Sequence, residues 1–275
     1  MSDGGAELRE LEMALAPITD GCFQAIPSNY MGVAMAATHA LIRRGVKRLH
    51  LLTVPTASLQ ADLLIGAGAV AAVETSAVSF DELGPAPRFT AAVREGRVKV
   101  MDATCPAIHS ALRASETGNP FGSLRGIIGS DILAHRPDWK VIDNPFTKDD
   151  PIVLLPALKP DVALFHAPMA DALGNVWVGR RRDLFTIAHA SATSIATVER
   201  IHDGNLLLDE KLAPATIPAF YVGAVAVAPR GAWPLRCGSD YGEDTAHLRE
   251  YLDLAQSEEG FRRYLDRYVF QRRAA

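Results

Sequence analysis

The chain has 275 residues, 48% hydrophobic and 22% charged, enough apolar content for a large core in one α/β domain. Its formal net charge of -4, with no basic tail, gives no global attraction to phosphate backbones and argues against nucleic-acid binding. Three scattered cysteines, Cys22, Cys105 and Cys237, make neither a CxxC metal knuckle nor a disulfide framework, so no metal and a reducing compartment are expected. The opening MSDGGAELRELEMALA carries acids where a signal peptide needs bases, and no apolar run approaches the roughly 18 residues of a membrane span, so the expected location is the cytoplasm.

In chain order, Glu7 to Ala16 has helical spacing and Cys22 to Ile26 is a short apolar strand. Tyr30 to Arg44, rich in Ala and Met and ended by Gly45, is predicted helical, and VKRLHLLTV after it alternates like a strand. The pattern repeats: SLQADLLIGAG helix, AVAAVETSA strand, RFTAAVREG helix, RVKVMDAT strand, then the helix CPAIHSALRASETG with Pro106 in its first turn. Phe121 to Leu158 is proline-rich with short extended pieces, which predicts a small β-rich insertion or flap. Strands resume at Val162–His166, Val176–Val178, Ser194–Val198 and Tyr221–Ala228, before helices Thr245–Gln256 and Glu259–Gln271. Such alternation implies an open, mainly parallel sheet covered on both faces, with its site beyond the carboxyl ends of the strands. There is no tandem repeat.

One strand end carries unusual polar chemistry. In KPDVALFHAPMADALGNVWVGRRRDL a buried run leads to His166, then Asp171, Gly174 and Asn175, then Arg180, Arg181 and Arg182. Asp171 to Asn175 reads as a tight turn, since Asp and Asn bond local amides and Gly tolerates positive φ. His166 has the character of a hydrogen-bonded structural histidine. The arginine triplet is either a solvated loop or a receiver of phosphate or carboxylate through bidentate contacts.

Several linked segments, GRVKVMDATCPAIHSALRASETGNPF, KVIDNPF, LPALKPDVALFHAPMADALGNV, ATVERI and VAVAPRGAWP, resemble the A (alpha) chain of two-subunit coenzyme A transferases of the glutaconate type. DLLIGAGAVAAVETS fits as well, and the likeness runs from about Leu41 to the C-terminus. The resemblance implies an open α/β fold, a separately encoded B subunit of similar fold, and an active site between the two. It implies a double displacement, in which a glutamate carboxylate belonging to the B subunit reacts with an acyl-CoA thioester and a second acid collects the CoA. Coenzyme A is then a substrate, and no cofactor is implied.

On this chain the resemblance points to two turns and the end of a core strand, and the residues themselves to a cation cluster. Where the family's alpha chains carry a glycine-rich turn after the first strand, this chain has IPSNYMG, so Ser28 and Asn29 are the candidate oxyanion donors in place of backbone amides. Glu74 and Ser76, in VETS, fall where alpha chains often carry an acid or polar residue after a core strand, and are candidates to line the substrate. In DATCPAIH, relatives commonly have two acids three residues apart; this chain keeps Asp102 and has Cys105 at the second place, with His109 one helical turn on. Asp102, Cys105 and His109 are therefore the catalytic candidates, Cys105 being either a nucleophile or a buried packing thiol. Arg180, Arg181 and Arg182 are the candidates for binding CoA. Three functions remain open at this point: transfer of CoA between acids, hydrolysis or ring-opening of a CoA thioester on the same scaffold, or stabilisation of a catalytic partner without a reacting group.

Overall fold

The computed structural model describes residues 7–28 and 31–270. The first half runs β1 (Glu7–Leu8), α1 (Leu11–Ala14), β2 (Phe23–Pro27), α2 (Met35–Arg44), β3 (Leu49–Val54), β4 (Thr56–Ala57) and α3 (Leu59–Gly66). It continues with β5 (Val70–Thr75), β6 (Ala77–Val78), α4 (Pro87–Arg94), β7 (Lys99–Asp102) and α5 (Cys105–Glu116). Residues 121–156 hold β8 (Phe121–Leu124), α6 (Ile132–His135), β9 (Lys140–Asp143) and β10 (Pro151–Pro156), three strands paired antiparallel in a sheet of their own. Then come β11 (Val162–Asp171), β12 (Val176–Trp177), α7 (Arg182–Ala190), β13 (Thr193–His202), β14 (Thr216–Ile217), β15 (Ala224–Val227), α8 (Thr245–Leu254) and α9 (Glu258–Leu265).

The main sheet has the order β1-β15-β13-β11-β2-β3-β5-β7, and every neighbouring pair on that path is parallel. Parallel strands are buried on both faces, and the sequence pattern follows. In β11, Val162 and Leu164 enter one core, while Ala163, Phe165 and Ala167 enter the other. Helices α2, α3, α8 and α9 cover the first face; α5, α7 and the three-stranded sheet cover the second. No helix among the described residues is long and apolar enough to cross a membrane.

Two sequence-predicted helices are shorter than their spacing suggests. Glu7 and Leu8 pair with Ala224 and Val225 as an edge strand, so helix begins only at Leu11. Helix α2 begins at Met35 rather than Tyr30, which lies outside the described residues, because Gly32 adopts φ +83° and its carbonyl accepts the His166 amide at 2.7 Å. A tertiary hydrogen bond here overrides a helical propensity.

The three-stranded sheet is anchored by a buried ion pair. Arg136 Nη2 donates to Glu74 Oε1 at 2.8 Å, with the side chains 4% and 3% exposed. The same guanidinium donates to both Asp138 carboxylate oxygens and to the Asp102 carbonyl at 3.2 Å, and its centre lies 4.1 Å from the Trp139 ring. Removing one partner of such a pair strands a buried charge, which costs about 3–5 kcal/mol, whereas removing both costs far less. Arg136→Met should therefore destabilise the protein more than the Glu74→Met/Arg136→Met double substitution, as read by urea denaturation in a double-mutant cycle. Additive losses would show that the pair is not coupled.

Candidate active site

From β2 the chain winds outward to β3, β5 and β7, and later returns to β11 on the opposite side of β2. Strand order thus reverses between β2 and β11, and a crevice opens beyond their carboxyl ends, where open α/β sheets bind ligands. A cavity of 340 Å³ lies there, lined by Ser28, Met31, Val54, Pro55, His109, Arg181 and Asp183. Ser28 follows β2, Val54 and Pro55 end β3, His109 comes from α5, and Arg181 and Asp183 flank the start of α7.

Arg181 organises this crevice. Its Nη2 donates to Ser28 Oγ at 3.1 Å, its Nη1 to the Met31 carbonyl, and its Nε to Asp183 Oδ1 at 2.8 Å, with a further bond from Nη2 to Asp183 Oδ2. One guanidinium thus fixes both described ends of the turn after β2 and is neutralised by an adjacent carboxylate. Of the three arginines read as a CoA-binding cluster, Arg181 is committed to these internal contacts, whereas Arg180 and Arg182 do not line the cavity. Asn29, the second oxyanion candidate, lies outside the described residues.

Helix α5 starts at Cys105 because the Thr104 hydroxyl caps it, accepting from the Ala107 amide, and Pro106 occupies its first turn. This places His109 on the cavity wall. Burial pushes its imidazole below the ordinary histidine range, against the opposing charge of Asp183, so the ring is neutral near pH 7. Cys105 pairs with a different neighbour. Its Sγ lies 3.2 Å from Ser76 Oγ, and that hydroxyl donates to the Pro55 carbonyl at 2.8 Å. Cys105 is exposed rather than buried, so the packing-thiol alternative does not describe it. Asp102 ends β7 on the same carboxyl edge and is exposed. Glu74 is different: its carboxylate is held by Arg136 beneath the three-stranded sheet, in a separate cavity of 170 Å³.

A second network supports the crevice from behind. His166 is buried; its Nδ1 lies 2.8 Å from Thr197 Oγ1 and its Nε2 2.7 Å from Glu199 Oε1. Glu199 also accepts the Tyr241 hydroxyl at 2.6 Å and the Arg230 amide at 2.6 Å. A Cβ on Gly231 would stand 2.6 Å from the Ala228 carbonyl and 2.7 Å from His166 Cε1, so only glycine fits against the ring. The Gly231 carbonyl in turn accepts the Ala36 amide at 2.9 Å. Through these contacts the start of α2, strand β13 and the segment 228–241 are tied to one imidazole. His166, Glu199 and Cys237 bring ligand-type atoms within 4.8 Å, but both ring nitrogens and both carboxylate oxygens already have hydrogen-bond partners. Burial and the charges of Glu199 and Asp240 push the Cys237 thiol up to about 12, so it stays protonated. The role of Glu199 escapes sequence reading, although ATVERI and VAVAPRGAWP both stand out as linked segments.

Known proteins share this architecture. The sequence model of the family described as Coenzyme A transferase matches residues 10–228. The chain belongs to the coenzyme A transferase family. The A chain of the 3-oxoadipate CoA-transferase of Pseudomonas knackmussii is 30% identical over 96% of this chain and 94% of its own length. Among solved structures, the glutaconate coenzyme A-transferase of Acidaminococcus fermentans superposes with a TM-score of 0.88 at 26% identity, covering 98% of this chain and 90% of that one. A variant of the decarboxylase AibA/AibB matches with a TM-score of 0.81 at 30% identity, covering 96% of this chain and 99% of that one. In this coenzyme A transferase fold the crevice is thus built around a neutralised arginine and a neutral histidine.

Glu199 yields a pH prediction. Burial raises its carboxyl pKa, but hydrogen bonds from His166, Tyr241 and the Arg230 amide outweigh that and hold it at about 2, below the ordinary 4.5. A depressed folded pKa contributes stability in full above about 4.5, and that contribution is lost as pH falls towards about 2. Glu199→Gln should flatten the dependence of the urea midpoint on pH in that window. An unchanged slope would show that the carboxylate contributes nothing there.

Proposed function

We propose that this chain is the alpha chain of a two-subunit coenzyme A transferase, with the nucleophilic glutamate supplied by a separately encoded B subunit. One observation carries this reading: among its described residues the cavity holds hydrogen-bond donors but no free carboxylate. Asp183 is the one acid among the described lining residues, and both of its oxygens accept from Arg181. Glu74 is buried in its own ion pair. An attacking carboxylate must therefore approach from outside the cavity wall, across the open face of the crevice.

The partner's glutamate attacks the thioester carbonyl, forming a mixed anhydride and releasing CoA thiolate, which then attacks the glutamyl carbonyl to free the first acid and leave an enzyme-CoA thioester. The second acid reverses both steps and leaves as its acyl-CoA, restoring the glutamate. Each addition develops negative charge on a carbonyl oxygen. Ser28 and the neutral His109 are the donors of this chain placed to receive it, and Arg181 holds the serine in position. Asp102, exposed at the end of β7, orients substrate or water at the edge of the crevice, while the Cys105 thiol, engaged with Ser76, takes no covalent part.

Mixing the purified chain with the product of its genomic neighbour and assaying CoA exchange tests the reading. Exchange that needs both chains and an acceptor acid is expected; thioester loss without an acceptor would indicate hydrolysis instead. In the assembled enzyme, Asp102→Asn should lower turnover by roughly 10²–10⁴-fold, the range for positioned acid-base groups, and Cys105→Ser should retain activity. Full turnover in Asp102→Asn, or its loss in Cys105→Ser, would reverse these assignments.

A further inference from the structure

We infer that the crevice selects acids whose acyl group is short and carries no second charge, with Asp183 as the specificity-determining residue. The inference rests on the transferase reading and adds the substrate class. Met31, Val54 and Pro55 give the cavity an apolar wall, and 340 Å³ lies at the small end of the roughly 300–1,000 Å³ usual for ligand pockets. Arg181 is the one cation among the described lining residues, and its charge is answered by Asp183 through two hydrogen bonds. Ser28 and the Met31 carbonyl accept two further bonds from the same guanidinium. His109 is kept neutral by burial. Asn29 and Tyr30, between Ser28 and Met31 in sequence, carry no positive charge.

A distal carboxylate entering this space would be desolvated beside Asp183 with no uncompensated cation among the described lining residues to meet it, which is unfavourable. An alkyl chain meets the apolar wall instead, and its reacting carboxyl stays at the open side. Asp183 therefore acts by cancelling a charge that would otherwise attract a dicarboxylate, a repulsive element of the kind that sets specificity.

Pentanoate and glutarate have the same carbon count and differ in the distal carboxylate, so they isolate this property. In the assembled two-subunit enzyme, with acetyl-CoA as the common donor, pentanoate should exceed glutarate in kcat/KM by roughly 10–100-fold, the scale of leaving one buried polar group without a partner. Isothermal titration of each acid into the same complex should show the same order without turnover. Asp183→Asn, which releases Arg181, should narrow the ratio mainly through the KM for glutarate. His109→Lys leaves the Arg181–Asp183 pair intact and adds a cation, and should shift the preference the same way. A wild-type enzyme that uses or binds glutarate as well as pentanoate overturns the inference, as does an unchanged ratio in both folded, assembled variants. Preferential binding of pentanoate without exchange of either acid would uphold the inference while refuting the transferase reading.

Discussion

The reversal of winding at β2 is the constraint on which the molecule depends. Because β11 lies on one side of β2 and β3 on the other, the connections leaving their carboxyl ends diverge and cannot close the space between them. That space has to be walled by segments distant in sequence: the turn after β2, the end of β3, one face of α5 and the start of α7. Arg181 links these walls, since one planar fork reaches Ser28, Met31 and Asp183 together. A lysine has a point charge and could not hold all three in one plane.

The polar groups of the interior are arranged around this need. Buried and part-buried charges are costly unless paired, and those around the carboxyl edge are paired: Glu74 with Arg136, Glu199 with three donors, Asp183 with Arg181. The Glu74 pair fastens the three-stranded sheet to the second face, and its arginine also bonds the carbonyl of Asp102. The Glu199 cluster and the Gly231–Ala36 bond fasten the segment 228–241 to β13 and the start of α2. Two buried networks thus brace opposite ends of the same carboxyl edge. Asp102 and Cys105 stay exposed on that edge.

Much of the fold was legible because core strands of a parallel sheet advertise themselves. Val162 to Phe165 is an apolar run, VKRLHLLTV alternates, and Pro106 sits in the first turn of α5. The strand character of Glu7 and Leu8 was not legible, since it arises from pairing with Ala224 and Val225, more than two hundred residues on. Two of the candidate site residues legible in the sequence, Ser28 and His109, are brought to one cavity by the fold. The electrostatics of that cavity were not legible. Three consecutive arginines read as a cationic cluster, but Arg181 is neutralised by Asp183 two residues away and bonded to Ser28, 153 positions distant. Glu74 looked available for substrate because Arg136, its partner, is 62 residues away in a segment read only as a flap. Local patterns reveal strands and caps; long-range ion pairs decide which charges are free.

The central claim is that this chain shapes and polarises the crevice while the covalent step occurs on its partner. The most direct measurement is intact-mass and peptide mapping of the assembled enzyme after incubation with an acyl-CoA and no acceptor acid. A CoA thioester is expected on a glutamate of the partner chain and none on this one. A CoA or acyl adduct on Asp102 or Cys105 would contradict it.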